Sequence, residues 1–73
     1  MSKLPQVSGA DVVRALVKLG FTVRRQQGSH IILRRDNPYA QTVVPNHRQI
    51  DRGTLRAILR QTEITPDKLI ELL

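Results

Sequence analysis

Cysteine is absent from the 73 residues, and so is tryptophan. Without thiols the chain has no disulfide framework and no Cys-based zinc site to offset its small size, and a reducing cytoplasm is its expected home. One phenylalanine and one tyrosine leave little aromatic surface either for packing or for base stacking. Long hydrophobic runs are missing too. Nothing reaches the ~18 apolar residues of a membrane span, and the opening MSKLPQVSG contains no apolar run of signal-peptide length. Negative charge is scarce, with six Asp and Glu against twelve Lys and Arg for a formal net charge of +6.

What remains is a short, basic, aliphatic chain. A domain of this size buries only about 60% of the surface its unfolded chain exposes, so 40% hydrophobic residues describe one thin core in one domain over residues 1–73. Lysine accounts for only three of the twelve cations, at Lys3, Lys18 and Lys68. Net charge alone argues solubility and non-specific binding. The arginine bias points further, to polyanions, because the planar guanidinium fork matches phosphate oxygens bidentately.

Turn formers divide the chain into short elements. Ser8 followed by Asp11 reads as a capping box, ahead of a helix over about Gly9 to Leu19 whose apolar face is expected at Val13, Leu16 and Val17, flanked by Val12 and Leu19, with Gly20 as its left-handed stop. FTVRRQ, HIILRR and QTVV follow as three β-rich runs separated by QGS and DNPYA, connections short enough for an antiparallel meander. Pro45 closes the third strand. Asp51 offers an N-cap for a helix through about Gln61 with Leu55, Ile58 and Leu59 on its apolar face. Thr65, Pro66 and Asp67 then open a last short helix, DKLIELL. The expected fold is α+β, ordered α-β-β-β-α, with a three-stranded antiparallel sheet and a short C-terminal helix. Along HIILRR, alternation separates His30, Ile32 and Arg34 from Ile31, Leu33 and Arg35 without deciding which set is core.

Five pieces of this sequence, in this order, resemble one family. They are Lys3-Leu4-Pro5 before the first helix, Leu19-Gly20-Phe21 at its end, Gly28-Ser29-His30 opening the second strand, Val44-Pro45 ahead of His47, and Gly53-Thr54-Leu55-Arg56 leading into Ile58-Leu59. Together they look like the HicA toxins, across nearly the whole chain. DNPYAQ departs from the family in the second hairpin, where a glycine-containing turn is expected. The resemblance implies a double-stranded-RNA-binding-domain-like fold and an mRNA-cleaving endoribonuclease, the toxin half of a bacterial or archaeal toxin–antitoxin pair. It also implies neutralisation by a HicB antitoxin in a hetero-oligomer. The family's catalytic histidine falls on His30.

Elementary chemistry allows that role. RNA brings its own nucleophile, the 2′-hydroxyl, so cleavage needs a base for that proton, an acid for the leaving oxygen, and positive charge at phosphorus. A free imidazole titrates near 6.5 and can do either proton transfer. The rival reading of His30 is a strand-end histidine hydrogen-bonded to a carbonyl; the Gly-Ser-His context favours catalysis. His47 is the candidate second group, or else a loop residue that orients the second helix. Gly28 can take positive φ and let backbone approach a phosphate, or be an ordinary hairpin glycine, and Ser29 can donate to phosphate or satisfy the turn. Two histidines without clustered carboxylates give no metal-ligand spacing, so neither metal nor cofactor is expected.

Arg24, Arg25, Arg34 and Arg35 flank the Gly-Ser-His turn and are the expected phosphate contacts near His30. Arg52 and Arg56 join them from one stripe of the second helix, with Arg60 read as solvated. Two other classes stay open: a non-catalytic RNA-binding module of the same fold, and a DNA-binding regulator, disfavoured because GTLRAILRQT lacks the Asn, Gln and Arg cluster that a recognition helix presents to base edges.

Overall fold

The computed structural model describes residues 4–73; Lys3 of the Lys3-Leu4-Pro5 segment lies outside the described residues. The elements are α1 (Gly9–Lys18), β1 (Thr22–Gln27), β2 (His30–Asp36), β3 (Tyr39–Pro45), α2 (Arg52–Thr62) and α3 (Pro66–Leu72). The strands form one antiparallel sheet in the order β1-β2-β3. This is the α+β architecture expected from the sequence.

Each helix begins at the cap its sequence announced. The Ser8 hydroxyl accepts from the Asp11 N–H while the Asp11 carboxylate accepts from the Ser8 N–H, both at 3.1 Å, a reciprocal capping box. Gly20 follows the end of α1 at φ 93°, a conformation that glycine alone adopts without steric cost. Asp51 accepts from both the N–H and the hydroxyl of Thr54 at the start of α2. Thr65 accepts from the Lys68 N–H, and Pro66 occupies the first turn of α3.

One face of the sheet carries the helices. Ile31 and Leu33 of β2 and Ala40, Thr42 and Val44 of β3 point to that side, where they are buried against Val12, Ala15 and Leu16 of α1 and Leu55, Ile58 and Leu59 of α2. Thr42 is accommodated by donating from its hydroxyl to the Gln61 side chain at 2.7 Å. Val7, Phe21, Ile50, Ile64 and Leu69 complete the core, so the apolar C-terminal helix is anchored by Leu69 while Ile70 and Leu73 remain exposed.

The face of α1 corrects the sequence expectation. Val12, Ala15 and Leu16 are buried, Val13 and Leu19 are partly buried, and Val17 is 49% exposed. Both sets satisfy helical spacing and differ by one residue of rotation. Tertiary packing selects the set with Ala15, because a small side chain lets the helix approach the sheet closely. Hydropathy, which ranks valine above alanine, selects the other.

The caps also set the response to acid. The backbone N–H of Ser8, then its hydroxyl, holds the Asp11 carboxyl below its ordinary value of 3.8. The N–H and then the hydroxyl of Thr54 do the same for Asp51. A folded-state value below the unfolded one stabilises above the unfolded value, and that contribution is lost as pH falls through the folded value. Thermal midpoints should therefore hold steady at neutral pH and drop below about pH 4. Asp51→Asn, which keeps a capping side chain, should be folded at neutral pH and show a shallower acid decline; an unchanged decline would remove Asp51 from this account. Ser8→Ala should cost about 1 kcal/mol in urea denaturation.

Candidate active site

The turn that presents His30 is two residues long. Gln27 pairs with His30 across β1 and β2, leaving Gly28 and Ser29 as the hairpin turn, with Gly28 at φ 58°. Glycine first with positive φ is what a tight hairpin with native twist requires. A Cβ at Gly28 would meet nothing within 4 Å, so conformation rather than space selects glycine here. The Gln26 side chain fixes the turn by donating to the Gly28 carbonyl at 3.0 Å.

Burial of Ile31 and Leu33 decides the alternation of β2. His30, Ile32 and Arg34 face away from the helices, and their partners in register, Pro45, Val43 and Gln41 of β3, share that face. His30 is exposed there. Beyond Pro45 the chain is drawn back to the sheet rim rather than released. The Asn46 N–H donates to the Ser29 carbonyl at 2.6 Å, the His47 carbonyl accepts from the Gly9 N–H at 2.8 Å, and the Ile50 N–H donates to the Val7 carbonyl at 2.8 Å. These bonds tie the loop after β3 to the Gly-Ser-His turn on one side and to the start of α1 on the other. The result is an open cleft of about 450 Å³ lined by His30, Val43, Pro45, His47, Gln49, Asp51 and Thr54. Both histidines of the chain share it.

The arginines divide differently from the sequence expectation. Arg25 opposes Ile32 in register and so lies on the face of His30, and Arg24 is the extra residue where the β1 register shifts; both are exposed. Arg34 shares that face, but four residues of strand put it about 13 Å along β2. Its Nε lies 2.9 Å from the Asp36 carboxylate, an ion pair rather than an aligned hydrogen bond. Arg35 is not beside His30. It belongs to the helix side at the far end of β2, with its guanidinium 4.6 Å from the centre of the Phe21 ring and its Nε donating to the Pro38 carbonyl at 2.9 Å. Arg25 stands three residues before the Gly28-Ser29 turn whereas Arg34 and Arg35 stand five and six after it, opposite the start of β1 or beyond, which is why two arginine pairs that bracket Gly-Ser-His in sequence do not both bracket it in space. Arg52, directly after the cap Asp51, and Arg56 one turn later are exposed on α2.

Four residues were not singled out from the sequence as contributors to the site. Arg48 is exposed beside His47, Thr54 and Gln49 line the cleft, and Gly9 holds the loop. A Cβ on Gly9 would overlap the Pro45 carbonyl oxygen and sit 3.0 Å from the Asn46 Cα. Arg48 was visible as one more loop cation; nothing local marks Gly9, whose neighbours come from a distant segment.

The arrangement puts two imidazoles, several guanidinium groups and open solvent around one rim of a sheet, a set able to move protons at a bound phosphodiester and to neutralise its charge. Among the described residues no three His, Cys, Asp or Glu side chains are grouped as ligands for a metal ion, and no helix is long and apolar enough to cross a membrane. No curated protein matches the chain. The family model for the HicA toxin of bacterial toxin–antitoxin systems matches residues 9–64, which takes in α1, the entire sheet with His30, the loop with His47, and α2. With that match over more than half of its length, the chain belongs to the HicA family of toxins.

Proposed function

We propose that this toxin is a metal-independent endoribonuclease that cleaves mRNA, with His30 as its catalytic histidine and a HicB-type antitoxin as its inhibitor. The observation that carries the reading is the position of His30: exposed on the helix-free face of the sheet, at a cleft, beneath a conformationally required glycine turn. Arg24 and Arg25 on the neighbouring strand, and Arg52 and Arg56 on α2, supply positive charge for the RNA backbone. Scarce aromatic surface, with Phe21 buried in the core, leaves little for base stacking, so base preference should be weak.

Incubating the purified chain with single-stranded RNA in EDTA is the direct test. Cleavage should persist under chelation and fade with salt, at a slope of about −0.7 per phosphate contact in a plot of log affinity against log salt. Dependence on added Mg²⁺ would overturn the metal-free mechanism.

The same arginines attract an acidic inhibitor, because opposite potentials steer association. The antitoxin is accordingly expected to cover His30 and the arginines of its face. Arg25→Glu should weaken RNA cleavage and antitoxin binding together. Undiminished antitoxin binding by that variant would move the inhibitor to another surface, such as the exposed Ile70 and Leu73 of the C-terminus.

A further inference from the structure

We infer that His47 is the second proton-transfer group of the site, complementary to His30, so that the two imidazoles act as base and acid on opposite sides of one phosphodiester. The inference rests on the ribonuclease reading above and extends it. His30 alone cannot serve both proton transfers of one concerted step, since the base must enter neutral and the acid protonated.

The geometry points to His47 for three reasons. It lines the same cleft as His30. Pro45 is the register partner of His30, and directly paired strand residues lie about 5 Å apart. Two further trans peptide steps to His47 add at most about 7.6 Å, so the two Cα atoms lie within about 13 Å of each other, close enough for both side chains to reach one phosphodiester bound in the cleft. The loop is also held by main-chain bonds at Asn46, His47 and Ile50. Its side chain is thereby left exposed toward the cleft while its backbone is fixed, which is what positioned acid–base catalysis requires.

The step balances without any further reactant. One neutral imidazole takes the proton of the 2′-hydroxyl as that oxygen bonds to phosphorus, and the other, protonated, gives its proton to the 5′-oxygen as the P–O5′ bond breaks. The products are a 2′,3′-cyclic phosphate and a 5′-hydroxyl, with the two imidazoles left in exchanged protonation states that solvent resets. Asp51 is the other titratable side chain lining the cleft, and Asp11 lies in the first turn of the helix that holds the loop. Both carboxyls are held below their ordinary value by their capping bonds. They are therefore ionised throughout the neutral range, and a bell-shaped pH–rate profile there does not arise from these carboxyls.

The test compares wild type, His30→Ala and His47→Ala on an RNA dinucleotide and on its analogue with sulfur in place of the 5′-bridging oxygen, a leaving group that needs no acid. His47→Ala should keep the wild-type melting temperature, lower cleavage of ordinary RNA by about 10²-fold or more, and lose one limb of the bell. The sulfur substrate should restore one of the two variants and not the other, identifying the acid. Wild-type rates and a complete bell for His47→Ala, or restoration of both variants or of neither, would overturn the pairing. A wild-type chain that leaves ordinary RNA intact would instead overturn the ribonuclease reading itself.

Discussion

Replacing His30 with alanine should lower RNA cleavage by about 10²–10⁴-fold, the usual contribution of a positioned proton-transfer group, while leaving the fold essentially unchanged. The asymmetry follows from where the side chain sits. His30 is exposed, and none of the side-chain hydrogen bonds or ion pairs found among the described residues is made by its imidazole. Surface replacements of this kind move stability by no more than about 0.5 kcal/mol. RNA affinity should also survive, because it rests on the arginines rather than on one imidazole. Cleavage by His30→Ala at the wild-type rate, with product ends identical to those of the wild type, would remove His30 from the mechanism.

Gly9→Ala should destabilise the chain and disable the cleft together. Two effects oppose each other at this position. Alanine is the better helix former, by at most about 1 kcal/mol, and Gly9 opens α1. Against this stands the backbone of Pro45 and Asn46, which a Cβ would overlap. Backbone cannot rotate aside as a side chain can, so α1 and the loop after β3 must separate. Overpacking of this sort typically costs about 1–3 kcal/mol, which exceeds the propensity gain. The same movement strains the bond from the Gly9 N–H to the His47 carbonyl and displaces the loop from the rim. Urea denaturation and RNA cleavage on the same preparation are the measurements, and a bulkier Gly9→Val should be worse on both. An alanine variant as stable and active as the wild type would show that the close approach does not organise the site.

Much of the fold could be read from local chemistry. Ser8, Asp51 and Thr65 are short-range caps whose hydrogen bonds close within three residues, and Gly20 and Gly28 mark backbone conformations that depend only on their own φ. Such signals need no knowledge of the rest of the chain. The resemblance to the HicA toxins was legible for a related reason. Its motifs sit at the turns and helix starts, where residue identity is dictated locally, and the family match over residues 9–64 agrees with it.

Long-range geometry decided what remained. The strand HIILRR carries apolar residues on both faces, so alternation could not choose between Ile31 with Leu33 and His30 with Ile32; packing of α1 and α2 against one side made the choice and left His30 open. The apolar stripe of α1 turned by one residue for the same reason, since fit to the sheet rewards Ala15 over Val17. Arg35 left the neighbourhood of His30 because register, not distance along the chain, sets what meets across a hairpin. His47 joined His30 only through the bonds that Val7, Gly9 and Ser29 make to the loop around it. The sequence by itself determined the elements, their order and the residue types able to do the chemistry. Which face is bare, which arginines share it and which two histidines line one cleft were decided by the tertiary structure, because each depends on contacts between segments that no local preference encodes.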